Sequence, residues 1–318
     1  MIGTNVRQVQ QPQVAASTSM TLSSITRKST ARGLRTLLYG PEGIGKTTFG
    51  ASAPSPVFIG SEDGFGVIDA ARFPAPKSWE DVFAAVRELT TGAHDFRTLV
   101  IDTLDWLEPK CWQHVCRAGG RADIESFGYG KGYVAAVDEW RRLIAALEAM
   151  QRARPDMGVI MLAHTVIKNA ATPEGDDYAH WVLKLHEKSA GLIKEWVDTI
   201  LFAQYETFVV KSDGKSKGHG GARLIHTERR PAFDAKNRHG LPATLPLDWD
   251  TFAAAVATGG MSSDALRAEV RALIALLPHE DRAIVSAWVD DSKTTAASLR
   301  VGLNKLRTKT AAIANTNA

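Results

Sequence analysis

Residues 37–49 read LLYGPEGIGKTTF: a stiff apolar run breaks into a loop with three glycines, then into Lys46, Thr47 and Thr48. Gly40, Gly45, Lys46 and Thr47 satisfy the pattern G-x-x-x-x-G-K-[ST] without departure. To surround a phosphate, successive backbone N–H groups must turn inward, and side chains at Gly40, Gly43 and Gly45 would obstruct them. A strand must enter such a loop and a helix must leave it, because the helix N-terminus adds its positive end. The motif therefore marks Gly40, Pro41, Glu42, Gly43, Ile44, Gly45, Lys46, Thr47 and Thr48 as nucleotide-binding. Lys46 is directed at the β- and γ-phosphates of a nucleotide, ATP or GTP, and the Thr47 hydroxyl at Mg²⁺.

The rest of the chain alternates in a way that suits this loop. LRTLLYG (34–40), SPVFIG (55–60), RTLVID (97–102) and GVIMLAH (158–164) are short apolar runs of buried-strand type. Between them, SWEDVFAAVREL (78–89) places Trp79, Val82, Phe83, Val86 and Leu89 on one helical face, and Ser78 with Asp81 forms a capping box. YVAAVDEWRRLIAALEAM (133–150) is a second long helix. Alternating strands and helices predict an α/β fold, a mostly parallel central sheet flanked by helices. DTILFAQ, ETFVVK and ARLIHT, linked through SDGKSKGHGG read as a turn, predict an antiparallel extension at one edge.

In an open parallel sheet the strand C-termini share one crevice. Asp102 ends an apolar strand and is the candidate Mg²⁺ carboxylate, with Asp105 one helical turn on as its competitor. Glu62, just past SPVFIG, is the candidate that positions or deprotonates water. His164 ends GVIMLAH and is the candidate contact to the γ-phosphate.

GPEGIGKTTF, FIGSEDG, LVIDTLDWL, SFGYGKGY, VIMLAH, EKSAGLIKEWVD and FDAKNRHGLP, over roughly residues 34–256, resemble the phage-type AAA/RecA-like P-loop ATPases, the group that includes the Sak-four single-strand annealing recombinases. The resemblance implies a RecA-like core and a cytoplasmic, Mg²⁺-dependent ATPase acting on single-stranded DNA, in the bacterial host if phage-encoded. By position, Glu62 looks like the family's catalytic glutamate and His164 like its γ-phosphate sensor, where an amide is usual. Homo-oligomerisation and contact with a single-strand-binding or other replication or recombination protein are expected. Two alternatives are a ring-forming helicase or loader and a nucleotide switch acting on a protein.

Three segments are candidate partner surfaces. In RADIESFGYGKGY (121–133), Phe127, Tyr129 and Tyr133 alternate with glycines and Lys131, a composition that suits base stacking and phosphate contact. Residues 165–190 read as a mobile loop with nearly balanced charge and two aromatics, Tyr178 and Trp181. Residues 211–240 hold eight basic residues against three acidic ones, although the whole chain carries only +3. There Lys215, Lys217, Arg229 and Arg230 are candidate DNA contacts, and Lys236 and Arg238 are candidates for reaching a neighbouring subunit's nucleotide.

Residues 1–30 contain no acidic residue and read as a disordered arm, residues 31–258 as the ATPase domain, residues 259–310 as a small helical module and residues 311–318 as a disordered tail. In the module, Leu266, Val270, Leu273, Ile274 and Leu277 mark one helix, Ile284, Val285 and Trp288 a second, and Leu299, Leu303 and Leu306 a third. The two cysteines, Cys111 and Cys116, are too few for a disulfide framework and read as reduced thiols. No apolar run reaches membrane-spanning length, so no membrane partner is expected.

Overall fold

The computed structural model describes residues 22, 25, 32–60, 68–170, 177–212 and 215–316. The chain divides into two units, Met1–Ala31 and Arg32–Ala318. Leu22 and Ile25 are the described residues of the first, and the Ile25 N–H donates to the Leu22 carbonyl at 3.3 Å. The remainder of the expected arm lies outside the described residues.

The second unit is built on one sheet. β1 (Arg35–Gly40) lies between β5 (Gly158–Ala170) and β7 (Thr199–Ser212), parallel to both. On the far side of β5 come β4 (Thr98–Asp102), β2 (Pro56–Gly60) and the two-residue β3 (Ala71–Arg72), all parallel. Beyond β7 the sheet turns antiparallel through β8 (Lys215–His226) and β10 (Thr244–Pro246). β6 (Tyr178–Leu183) pairs antiparallel with the distal half of β5, and β9 (Lys236–Asn237) with β7. The order is the expected α/β arrangement of a RecA-like P-loop core.

The flat apolar runs form strands because both faces are covered. One face carries α2 (Trp79–Thr91), α3 (Leu104–Ala118), α4 (Lys131–Ala153) and α5 (Glu187–Trp196), which bury Trp79, Trp140, Leu147 and Ile193 against Leu37, Leu99 and Val159. The other carries α1 (Lys46–Ala51) and α6 (Trp249–Thr258), with Phe49 and Phe252 against Leu38, Val100 and Leu162. Each large apolar side chain so buried contributes about 1.5–3 kcal/mol. The capping box at Ser78 and Asp81 is formed, and Cys111 and Cys116 are buried, unbridged thiols on α3.

Two loop readings give way to strands. Residues 165–190 are largely the β5–β6 hairpin and the start of α5, because β5 continues past the parallel sheet and Thr165–Ala170 pair with Tyr178–Leu183. SDGKSKGHGG is mostly β8, since pairing with β7 from Ser212↔Lys215 onward outweighs the low strand propensity of its glycines.

α7 (Ser263–Ile274), α8 (His279–Asp290) and α9 (Ala296–Thr316) follow Gly259 and Gly260. Leu266, Val270, Val289, Leu299 and Leu303 form their own small core. Ile284, read with the apolar face of α8, points outward and is 70% exposed. α9 runs past the expected boundary at 310. Among the described residues no helix is long and apolar enough to cross a membrane.

Candidate nucleotide site

The site forms where the parallel strands end in register. Gly40 is level with His164, Asp102 with Leu162, and Gly60 with Asp102, so the P-loop, the aspartate and the histidine open on one edge. The loop itself needs its glycines. Gly43 and Gly45 have φ of 71° and 109°, a region costly for residues with a Cβ. A Cβ on Gly40 would lie 2.6 Å from the Ala203 carbonyl oxygen of β7.

Lys46 is buried and folds back over the loop, its Nζ donating to the Gly40 carbonyl at 3.2 Å and the Pro41 carbonyl at 2.9 Å. Those oxygens hold the ammonium over the mouth of the P-loop. Thr47 Oγ1 donates to Asp102 Oδ2 at 2.7 Å. The pair places two hard oxygen donors side by side beside the lysine, a donor set that fits Mg²⁺.

His164 is held by Asp105, in the first turn of α3. Its backbone N–H donates to Asp105 Oδ1 and its ring Nδ1 meets Oδ2, both at 2.9 Å. Burial disfavours the charged Asp105 carboxylate, but the hydrogen bonds from the His164 side chain and backbone outweigh it and hold the carboxyl below its ordinary range. Asp105 is thus committed to His164, and Asp102 alone joins Thr47.

A cavity of about 480 Å³ gathers Glu42, Gly43, Lys46, Thr47, Asp102 and His164, with Ile68 and Trp106 on its wall. Glu62 lies outside the described residues, two positions beyond the end of β2. Trp106 and Ile68 are absent from the sequence-derived site, as no local pattern marks them, and Asp105, read there as a competing metal carboxylate, instead holds His164. Arg223 and Tyr205 flank the outside of the P-loop, Arg223 Nη1 3.5 Å from the Ile44 carbonyl and Tyr205 Oη 3.4 Å from that of Gly43.

A family described as AAA domain matches residues 32–239, about two thirds of the sequence. The chain belongs to the AAA domain family. The matched span includes the P-loop, Gly40–Thr48, and Asp102. No curated protein matches this AAA domain. Among solved structures it is similar to the flagellar accessory protein FlaH from Methanocaldococcus jannaschii, at 10% identity and a TM-score of 0.31, over 65% of this chain and 90% of that one.

The partner candidates of this AAA domain divide by packing. Phe127 is wedged against Gly119, and the Arg121 guanidinium sits 5.8 Å from its ring centre. Tyr133 stacks on His186 at 4.0 Å and donates its hydroxyl to Glu125. Both rings are half-buried and pack against these neighbours. Tyr129 is fully exposed between two glycines of positive φ, and Lys131 is exposed beside it.

Lys236 is likewise committed. Its Nζ donates to the carbonyls of Lys194, Glu195 and Val197, all within 3.0 Å, and so caps the C-terminus of α5. The three donors of the ammonium are thus engaged within the chain. Arg238 lies 3.5 Å from Asp198 and Arg229 3.3 Å from Asp234, while Arg230 is exposed. The side chains of Lys215 and Lys217 lie outside the described residues.

Proposed function

We propose that the chain is a Mg²⁺-dependent ATPase acting on single-stranded DNA in phage-type recombination. The observation that carries the ATPase reading is the single cavity lined by Lys46, Thr47, Asp102 and His164. Backbone N–H groups of Gly43–Thr47 would surround the phosphates, and Lys46 would exchange its loop carbonyls for phosphate oxygens. Thr47 and Asp102 would hold Mg²⁺, which when bound neutralises charge developing on the transferred phosphoryl group. His164 lies level with the P-loop strand end, where the ring would contact the terminal phosphate or the attacking water.

The DNA reading rests on the resemblance of the chain's motifs to the single-strand annealing group and on the exposed pair Tyr129 and Lys131. An aromatic ring with a neighbouring cation suits a sequence-tolerant single strand. ATP turnover by the purified protein is expected to rise when single-stranded DNA is added, and complementary strands are expected to anneal. Turnover indifferent to DNA, with no salt-sensitive binding of a single strand, would overturn the partner and leave the ATPase standing. Directional unwinding would replace the annealing role with that of a motor.

A further inference from the structure

The mechanism above uses His164 but not the carboxylate behind it. Asp105 is nearly sealed from solvent, its side chain 3% exposed against 11% for that of His164. A buried carboxylate is costly unless its oxygens are hydrogen-bonded. Here each oxygen is assigned, one to the His164 backbone N–H and one to its ring. The two contacts come from a single residue on β5, 59 positions away in sequence, so α3 grips the main chain and the imidazole of His164 together.

We propose that Asp105 is a positioning residue of the nucleotide site: it sets the plane and tautomer of His164, so that the proton on Nδ1 faces the carboxylate and Nε2 is the ring atom turned from it. The proposal rests on the ATPase reading of the cavity. A carboxylate accepts hydrogen bonds only, so it selects the tautomer that carries hydrogen on Nδ1. The backbone contact matters equally, because it fixes the height of His164 on β5 next to Gly40. The ring then has one orientation before nucleotide arrives, and this pre-organisation lowers the cost of aligning it in the transition state. Such a residue acts on the chemical step and leaves nucleotide affinity nearly unchanged.

Asp105→Asn separates the two contacts. Its amide oxygen can still accept from the His164 backbone, but its NH₂ group opposes Nδ1 and favours hydrogen on Nε2. Steady-state ATP hydrolysis and equilibrium ATP binding would be measured for wild type, Asp105→Asn, His164→Ala and the double variant, with melting curves as the folding control. The expected result is a fall in kcat of about 10- to 100-fold for Asp105→Asn, in line with other outer partners of functional histidines. ATP affinity should change by less than about threefold, and Asp105→Asn should have no further effect in the His164→Ala background. Unchanged kcat, or the same loss with and without His164, would overturn the proposal. Wild-type turnover in Lys46→Ala would overturn the site reading and the proposal together, a result distinct from either. Independently of turnover, ¹⁵N spectra of histidine-labelled protein, with His164→Gln to assign the signal, should show hydrogen on Nδ1. A neutral His164 ring with its hydrogen on Nε2 would overturn the proposal even in a protein without measurable activity.

Discussion

Thr47 Oγ1 lies 2.7 Å from Asp102 Oδ2, a hydrogen bond between the helix that leaves the P-loop and the end of β4. It ties together two motifs 55 residues apart and places them beside Lys46. Substituting Asp102 by Asn keeps the size of the side chain and removes its charge. Turnover should fall by about 100-fold or more, with a higher Mg²⁺ requirement. A titration of hydrolysis rate against Mg²⁺ checks this, and an unchanged midpoint would remove Asp102 from the metal site. Thr47→Ala should act on the same quantity, and the two effects should not add, because both residues serve one position.

The closeness of β1 and β7 at Gly40 gives a prediction about stability. A Cβ there would meet the Ala203 carbonyl at 2.6 Å, on backbone that has little room to yield. Gly40→Ala should destabilise the protein by about 1–3 kcal/mol, as overpacking does. Urea denaturation measures it, and wild-type stability in this variant would contradict the strand spacing.

Loop 121–133 separates surface function from packing. Tyr129→Ala should weaken single-strand binding by about 1–3 kcal/mol, the usual worth of a stacked base, and leave stability unchanged. Phe127→Ala, which empties a wedge beside Gly119, should instead cost about 2–3 kcal/mol of stability. DNA binding by fluorescence anisotropy and denaturation of both variants check the pair. Reversed effects would contradict the assignment.

Much of the site was legible in the sequence because its signals are local. Gly40–Thr48 and the apolar run ending in Asp102 carry their chemistry within a few residues. The role of Asp105 was not legible, because it depends on α3 and β5 meeting across 59 residues. The packing of Phe127 and Tyr133 was not legible for a similar reason. Aromatics between glycines look exposed, and the partners that bury them, Gly119 and His186, lie outside the motif. Lys236 likewise finds its three carbonyls about forty residues upstream. The glycine-rich run after Ser212 looked like a turn, but pairing with a long neighbouring strand decided its conformation.

Acid sensitivity follows from Asp198. Burial disfavours its charge, yet Arg32, which donates to both oxygens at 2.8 and 2.7 Å, and the Arg35 N–H hold the carboxyl below its ordinary range. Because the folded value lies below the unfolded value of about 3.9, its stabilisation is present above that pH. It is lost as pH falls through the folded value. Arg32→Ala should cost about 1 kcal/mol at pH 7, a figure that allows for solvent screening of the partly exposed arginine. The difference from wild type should shrink below about pH 4. Urea denaturation across pH 3–7 (about that range) tests this, and a difference that grows on acidification would contradict the sign.

The most direct test of the account is ATP binding and hydrolysis by wild type and Lys46→Ala, measured in the presence of Mg²⁺. The account predicts Mg²⁺-dependent release of phosphate by wild type and a loss of turnover of about 100-fold or more in the variant, which retains its melting temperature. Equal turnover in the two proteins would contradict the placement of the nucleotide at this loop.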